Sequence, residues 1–400
     1  MLRRLRAPAI AGALASAVFL AAPSVLPRIA AANPTREAGA PPPRDVAAAI
    51  ETVRAKHVVP AMAGAVVLGD GRVTAIGVAG ARRAGSPERA TLDDRWHLGS
   101  CTKAMTATLC ARLVERKRLA WDDTVGEVFG CRTCRVPAMD AGWKSVSLSN
   151  LLHNRGGAPA NLDEGGLWGR LWAFSGSPED ARLALVEGVL ARPPVAPPGT
   201  KHVYSNAGFS IAGAMAEAKT QRAWEDLLRD EVFVPLGITT FGFGAPGTAT
   251  KLDAPRGHRD SREGPVAVEP GKQADNPVAI GPAGIVHMTI RDWANFVAAH
   301  VSGERTGRFL PAATWKRLHE PEDGDDARYA MGWAVTERPW GGRVLTHSGS
   351  NTMWFCVTWL SPSKDFAVLV TSNLGGDRAS KACDEVAWSL IQDHLAHEGK

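Results

Sequence analysis

The chain has 400 residues, 45% of them apolar and 22% charged, a globular balance that excludes a disordered or fibrous protein. Its net charge of +5 comes mostly from the first 32 residues, which hold Arg3, Arg4, Arg6 and Arg28 and no acid; the other 368 carry 42 basic against 41 acidic side chains. So nearly neutral a chain gives no electrostatic reason to expect a nucleic-acid partner.

Residues 1–32 read as an export signal. A basic start precedes an uncharged, Ala-rich stretch from Ala7 to Leu26, and Ala30, Ala31 and Ala32 offer a small-residue cleavage site before Asn33. The stretch is about as long as a bilayer span, but Pro8 and Pro23 interrupt it, so a cleaved signal is expected rather than an anchor. No later run approaches ~18 uninterrupted apolar residues. The mature protein is expected to be exported, periplasmic or extracellular, without a stable membrane span.

Residues 33–44 begin NPTREAGAPPP and read as a Pro-rich linker. A helix is expected from Asp45 to Lys56. Two apolar runs flanking Gly69-Asp70-Gly71 predict a β-hairpin. Met105, Leu109, Leu113 and Val114 fall at helical spacing between Thr102 and Leu119. Helices are also expected at Ser147–His153, with Ser147 as cap, and at Asp180–Leu190, Ala207–Lys219 and Trp224–Val232. Thr289 is placed to cap another, running to about Val301. Strands return at Gly332–Thr336, Arg343–Thr346, Met353–Leu360 and Phe366–Ser372, and a last helix runs from Ala379 to Ala396.

Strands at both ends with helices between predict a discontinuous architecture. Residues 45–98 and 290–400 would build an antiparallel sheet covered by the terminal helices. Residues 99–289 would form a mostly helical insertion, with the active site between the two.

Of six cysteines, only Cys131 and Cys134 are close in sequence. A zinc site would need a second pair or histidines at ligand spacing, and none follows. A local disulfide is the expectation there. The eleven histidines show no H-E-x-x-H pattern, no G-x-S-x-G occurs, and no phosphate-binding Gly-rich loop is present. No metal or cofactor is expected.

Three segments carry residues suited to acyl transfer. Ser100-Cys101-Thr102-Lys103 follows His97-Leu98-Gly99 at a helix start. Serine and lysine three apart share a helix face, the Ser100 N–H is a first-turn donor able to meet an oxyanion, and a partly buried amine can accept a proton. The bare spacing is weak, since Ser361 to Lys364 repeats it in a turn. Tyr204-Ser205-Asn206 places a phenol and an amide at a loop-to-helix junction; alone it also reads as an Asx-type turn with a packed tyrosine. His347-Ser348-Gly349 ends a strand, where Gly349 permits close backbone approach and the Ser350 N–H is a second oxyanion donor; alone it also reads as a strand end with a surface histidine.

Together, Ser-x-x-Lys, Tyr-x-Asn and His-Ser-Gly, in that order, resemble the three motifs of the serine β-lactamase and penicillin-recognising superfamily. The surrounding Leu151-Leu152-His153, Pro198-Gly199-Thr200, Gly281–Asp292 and Gly332-Trp333 segments are similar too. The likeness covers residues 45–397 and is nearest the branch of class C β-lactamases, D-alanyl-D-alanine peptidases and esterases. It implies a β-lactamase-like α/β (α+β) fold. It also implies Ser100 as the acyl-forming nucleophile, with Lys103 and Tyr204 sharing the proton transfers. Asn206, His347, Ser348, Gly349 and Ser350 would bind substrate, the last through an oxyanion hole shared with the Ser100 N–H.

His347 stands where class C lactamases usually have lysine. A histidine is mostly neutral near pH 7, which points toward the peptidase and esterase members. Arg155, in a loop where the family often has Thr-Ser-Gly, reads as a solvated charge, and Trp168 and Trp172 as core packing. The expectation is an exported serine hydrolase acting on a small-molecule or peptide-like ester or amide. The alternatives are a D-alanyl-D-alanine carboxypeptidase, a weak β-lactamase, or a non-catalytic binding or sensor protein on the same fold.

Overall fold

Among the described residues, seven strands form one sheet in the order β1-β3-β2-β7-β6-β5-β4: Arg44–Asp45 (β1), Ala61–Leu68 (β2), Val73–Gly80 (β3), Ala334–Arg338 (β4), Gly342–Ser350 (β5), Phe355–Ser361 (β6) and Phe366–Ser372 (β7). Neighbours pair antiparallel except the short β1, which runs parallel to β3. The structure is a computed structural model that describes residues 41–130, 136, 138–322, 324 and 328–398. Residues 1–32, expected above to be an export signal, residues 33–40 of the expected linker and the Cys131–Cys134 pair lie outside the described residues.

Five helices matter for the site: Ala47–Lys56 (α1), Thr102–Glu115 (α2), Asn206–Thr220 (α3), Ile290–Thr306 (α4) and Gly376–Glu398 (α5). Strand side chains alternate between faces, and the sheet uses both. Met62 and Val66 of β2 and Phe366, Val368 and Val370 of β7 pack with Ile50 and Val53 of α1 and Val386 and Leu390 of α5. The intervening Ala65, Val67, Ala367 and Leu369 join a larger core with Met105 and Leu109 of α2, Phe209 of α3 and Val297 and Val301 of α4. The terminal helices therefore cover one face, and α4 lies against the other.

Local chemistry places the helices between. Ser147 and Asn150 form a reciprocal capping box at Leu148–Leu152. Thr289 accepts from the Asp292 N–H at the start of α4, and the Asp292 carboxylate accepts from the Thr239 and Thr240 N–H groups. α2 ends at Glu115, not Leu119, because Lys117 takes φ +56° and the chain turns back onto Leu113. A small sheet that the sequence did not announce pairs Arg95–His97 with Val286–Thr289, and the latter with Gly242–Phe243. It delivers the chain straight into the turn that holds Ser100. The Ser361 to Lys364 repeat falls in a short 3₁₀ turn between β6 and β7. Trp168 and Trp172 meet edge to face, 6.3 Å between centroids, and both are half-buried on Leu167–Ala173; Trp168 packs against the main core, as expected.

Arg182 is fully buried and forks onto Glu217 of α3 and onto Glu225, with Nη–Oε distances of 2.8 Å to Glu225. Removing one partner of such a buried set leaves charge uncompensated. Arg182→Ala is expected to lower stability by ~3–5 kcal/mol, measured by urea unfolding, because it frees the C-terminal end of the helix whose first residue is Asn206.

Candidate active site

Ser100 sits in a 3₁₀ turn, Gly99–Cys101, that runs directly into α2. Gly99 takes φ +46°, and a Cβ there would fall under 3.0 Å from the Ser350 nitrogen. A Cβ on Gly349 would fall equally close to the Leu98 carbonyl. Both positions need glycine, and both press the end of β5 against the Ser100 turn. Behind the turn, the buried thiols of Cys101 and Cys356 touch at 3.5 Å.

Lys103, the second residue of α2 and one turn beyond Ser100, is fully buried. Its Nζ donates to Ser100 Oγ at 3.1 Å, to Asn206 Oδ1 at 2.7 Å and to the Ala283 carbonyl at 2.9 Å. No carboxylate is among these partners, so burial dominates and pushes the amine down to about 7. The Nζ also lies 4.8 Å from the centre of the Tyr204 ring.

The Tyr204 hydroxyl faces Ser100. Burial around that hydroxyl raises the phenol above its ordinary range, and its interaction with Ser100 pulls the other way. The residue as a whole remains 39% exposed. Ser205 caps α3, accepting from the Gly208 N–H at 3.2 Å, and so aims Asn206 inward. Four of the expected residues thus meet: Ser100, Lys103, Tyr204 and Asn206.

Asn154 and Arg155, on the loop after Leu148–Leu152, hold the Tyr204 segment. Asn154 takes φ +58° and accepts from the Ser205 N–H through Oδ1 and from the Val203 N–H through its carbonyl. Arg155 is buried, not solvated; its guanidinium donates twice to the Gly199 carbonyl, at 3.0 and 3.1 Å. A guanidinium used as a strap between two loops is held by backbone, which spacing along one loop does not reveal.

His347 is buried at the end of β5. Its Nδ1 donates to the Ser348 carbonyl at 2.6 Å, and its Nε2 lies 3.2 Å from the hydroxyl of the buried Tyr329. The His347 ring stands 6.2 Å from that of Tyr204, and Tyr329 meets Tyr204 edge to face at 6.1 Å. Ser348 and Ser350 are exposed, and Gly349 is buried against Leu98. Tyr329 and Asn154 were missed in sequence. Tyr329 is one of only two tyrosines, which is the one signal that could have marked it.

A hydroxyl at a helix start, bonded to a buried, weakly basic amine and faced by a phenol, is the arrangement of a serine acyl-transfer enzyme. The chain belongs to the β-lactamase family of serine hydrolases, whose family model matches residues 46–390. It is 28% identical over 255 residues to penicillin-binding protein 4 of Amycolatopsis lactamdurans, covering 63% of this chain and 62% of that protein. It is 26% identical over 353 residues to an unguisins hydrolase of Aspergillus campestris, covering 85% and 63%. The chain thus spans less than two thirds of the length of these relatives. The octameric penicillin-binding protein homologue from Pyrococcus abyssi shares the fold, with a TM-score of 0.68 at 21% identity over 88% of this chain and 76% of that one.

Gly349→Ala is expected to force β5 off the Leu98 carbonyl. Overpacking of this kind costs about 1–3 kcal/mol, read as a lowered thermal midpoint.

Proposed function

We propose that the protein is an exported serine hydrolase that cleaves an ester or a neutral amide through an acyl-Ser100 intermediate. The observation that carries this is the convergence of Ser100 Oγ, the Lys103 amine and the Tyr204 hydroxyl, with Lys103 shifted to about 7. In the neutral amine the bond to Ser100 reverses, and Nζ accepts the hydroxyl proton as Oγ attacks the carbonyl carbon. Tyr204, held protonated by its surroundings, relays a proton to the leaving group as its bond to the acyl carbon breaks. The Ser100 and Ser350 N–H groups stabilise the oxyanion, and Asn206 orients both Lys103 and the amide side of the substrate. Water then releases the acyl group by the reverse relay.

His347 argues for the neutral substrate class. Both ring nitrogens are engaged by Ser348 and Tyr329, so neither is free to meet an incoming carboxylate, and the third motif presents hydroxyls and backbone there. Assayed side by side, a short-chain chromogenic ester is expected to turn over faster than a cephalosporin or a D-Ala-D-Ala peptide. Stable acylation without turnover on all three would favour the sensor reading instead.

Ser100→Ala is expected to lower ester turnover by roughly 10⁴-fold or more and to abolish labelling by a fluorescent phosphonate; unchanged turnover refutes the assignment. Because Lys103 works as the free amine, kcat/KM is expected to rise with pH through about 7 and level off above it. Lys103→Arg, which cannot lose its proton, is expected to be inactive throughout that profile.

A further inference from the structure

Outside the reacting groups lies a buried polar chain that touches neither Ser100 nor Lys103. His97 is fully buried, and its Nδ1 accepts from the Gly99 N–H at 3.1 Å. An imidazole nitrogen that accepts carries no proton, so the ring is the Nε2–H tautomer. That N–H donates to Asp275 Oδ2 at 2.8 Å. The other carboxylate oxygen, Oδ1, accepts from the Asn276 N–H at 2.7 Å and from Asn351 Nδ2 at 3.0 Å. Asn351 Oδ1 in turn accepts from the Met353 and Trp354 N–H groups, at 3.2 and 3.1 Å. Every polar atom of the three side chains that this chain needs is used.

The two ends of the chain are telling. Gly99 directly precedes Ser100, and Asn351 directly follows Ser350. These are the two residues whose N–H groups face the oxyanion in the reading above, and their turns are pressed together at Gly99 and Gly349. Gly99 in the left-handed region is a strained conformer for an ordinary residue and is held by its bond to His97. We propose that His97, Asp275 and Asn351 are positioning residues that set the spacing of the oxyanion donors. Asp275 orients the ring and fixes its tautomer, His97 anchors the Ser100 wall, and Asn351 anchors the Ser350 wall. This rests on the acyl-serine reading.

The geometry separates the two functions of the ring. Asparagine at 97 can place its Oδ1 where Nδ1 stands and keep the bond from Gly99. Glutamine reaches toward Asp275 and leaves Gly99 without its acceptor. A displacement of about 1 Å at a reacting centre costs on the order of 100-fold in rate. His97→Gln and Asp275→Asn are therefore expected to lower kcat on the chromogenic ester by about 100-fold, with KM changed less than about threefold. His97→Asn is expected to keep most of the wild-type kcat. The experiment measures kcat, KM, phosphonate-labelling rate and thermal midpoint for wild type, Ser100→Ala and these three variants. Should His97→Gln not fold, the isosteric Asp275→Asn carries the same expectation. A wild-type labelling rate in folded His97→Gln or Asp275→Asn overturns the proposal while leaving the acyl-serine reading intact, as does His97→Asn as slow as His97→Gln. Failure of wild type itself to label or turn over, matching Ser100→Ala, overturns both.

Discussion

Burying one lysine amine without a carboxylate partner is the constraint around which this site is built. Among the described residues, Lys103 has only a hydroxyl, an amide oxygen and a backbone carbonyl within hydrogen-bond reach. Each of these is neutral, so none repays the desolvation of a full charge. The folded protein therefore holds an amine close to losing its proton at neutral pH. Its three partners come from three parts of the chain: the Ser100 turn, the start of α3 and the Gly281–Gly284 turn. The position of α3 rests on the Ser205 cap and the Arg182 ion pairs, and that of the Gly281–Gly284 turn in part on Thr106, whose hydroxyl donates to Pro282.

The regular elements were legible because their signals are local. Apolar runs flanking turn residues marked the β2–β3 hairpin, and side-chain caps at Ser147 and Thr289 marked helix starts. The ordered motifs gave the reacting groups, since helix geometry alone brings Lys103 to Ser100. What escaped was non-local. The pairing of Arg95–His97 with Val286–Thr289 joins two short segments with no alternating pattern of their own. His97 meets Asp275 across 178 positions, and Tyr329 has meaning only beside His347. Arg155 looked like a loop charge because the carbonyl it donates to belongs to another loop.

The third motif shows how one position can change a site without altering its frame. Gly349 and Ser350 occupy the place the motif predicts, pressed on the Ser100 turn. His347, between Ser348 and Tyr329, spends its hydrogen bonds inward. Backbone geometry, shared through the fold, supplies the electrophile's oxyanion contacts, whereas side chains at the rim decide what charge the substrate brings.

The seam between β2 and β7 has a kinetic meaning. It joins the two ends of the described chain, and the bond from the Ala61 N–H to Asn373 closes a loop of 312 positions. Contacts of such long range are formed late and slow folding, because the entropy of closing the loop is lost before the ladder returns anything. The helices between can find local partners earlier. During synthesis β2 and β3 emerge with one ladder edge bare until the last strand leaves the ribosome, and a bare edge pairs readily with other chains. For this architecture the vulnerable interval is thus the wait for its own C-terminus.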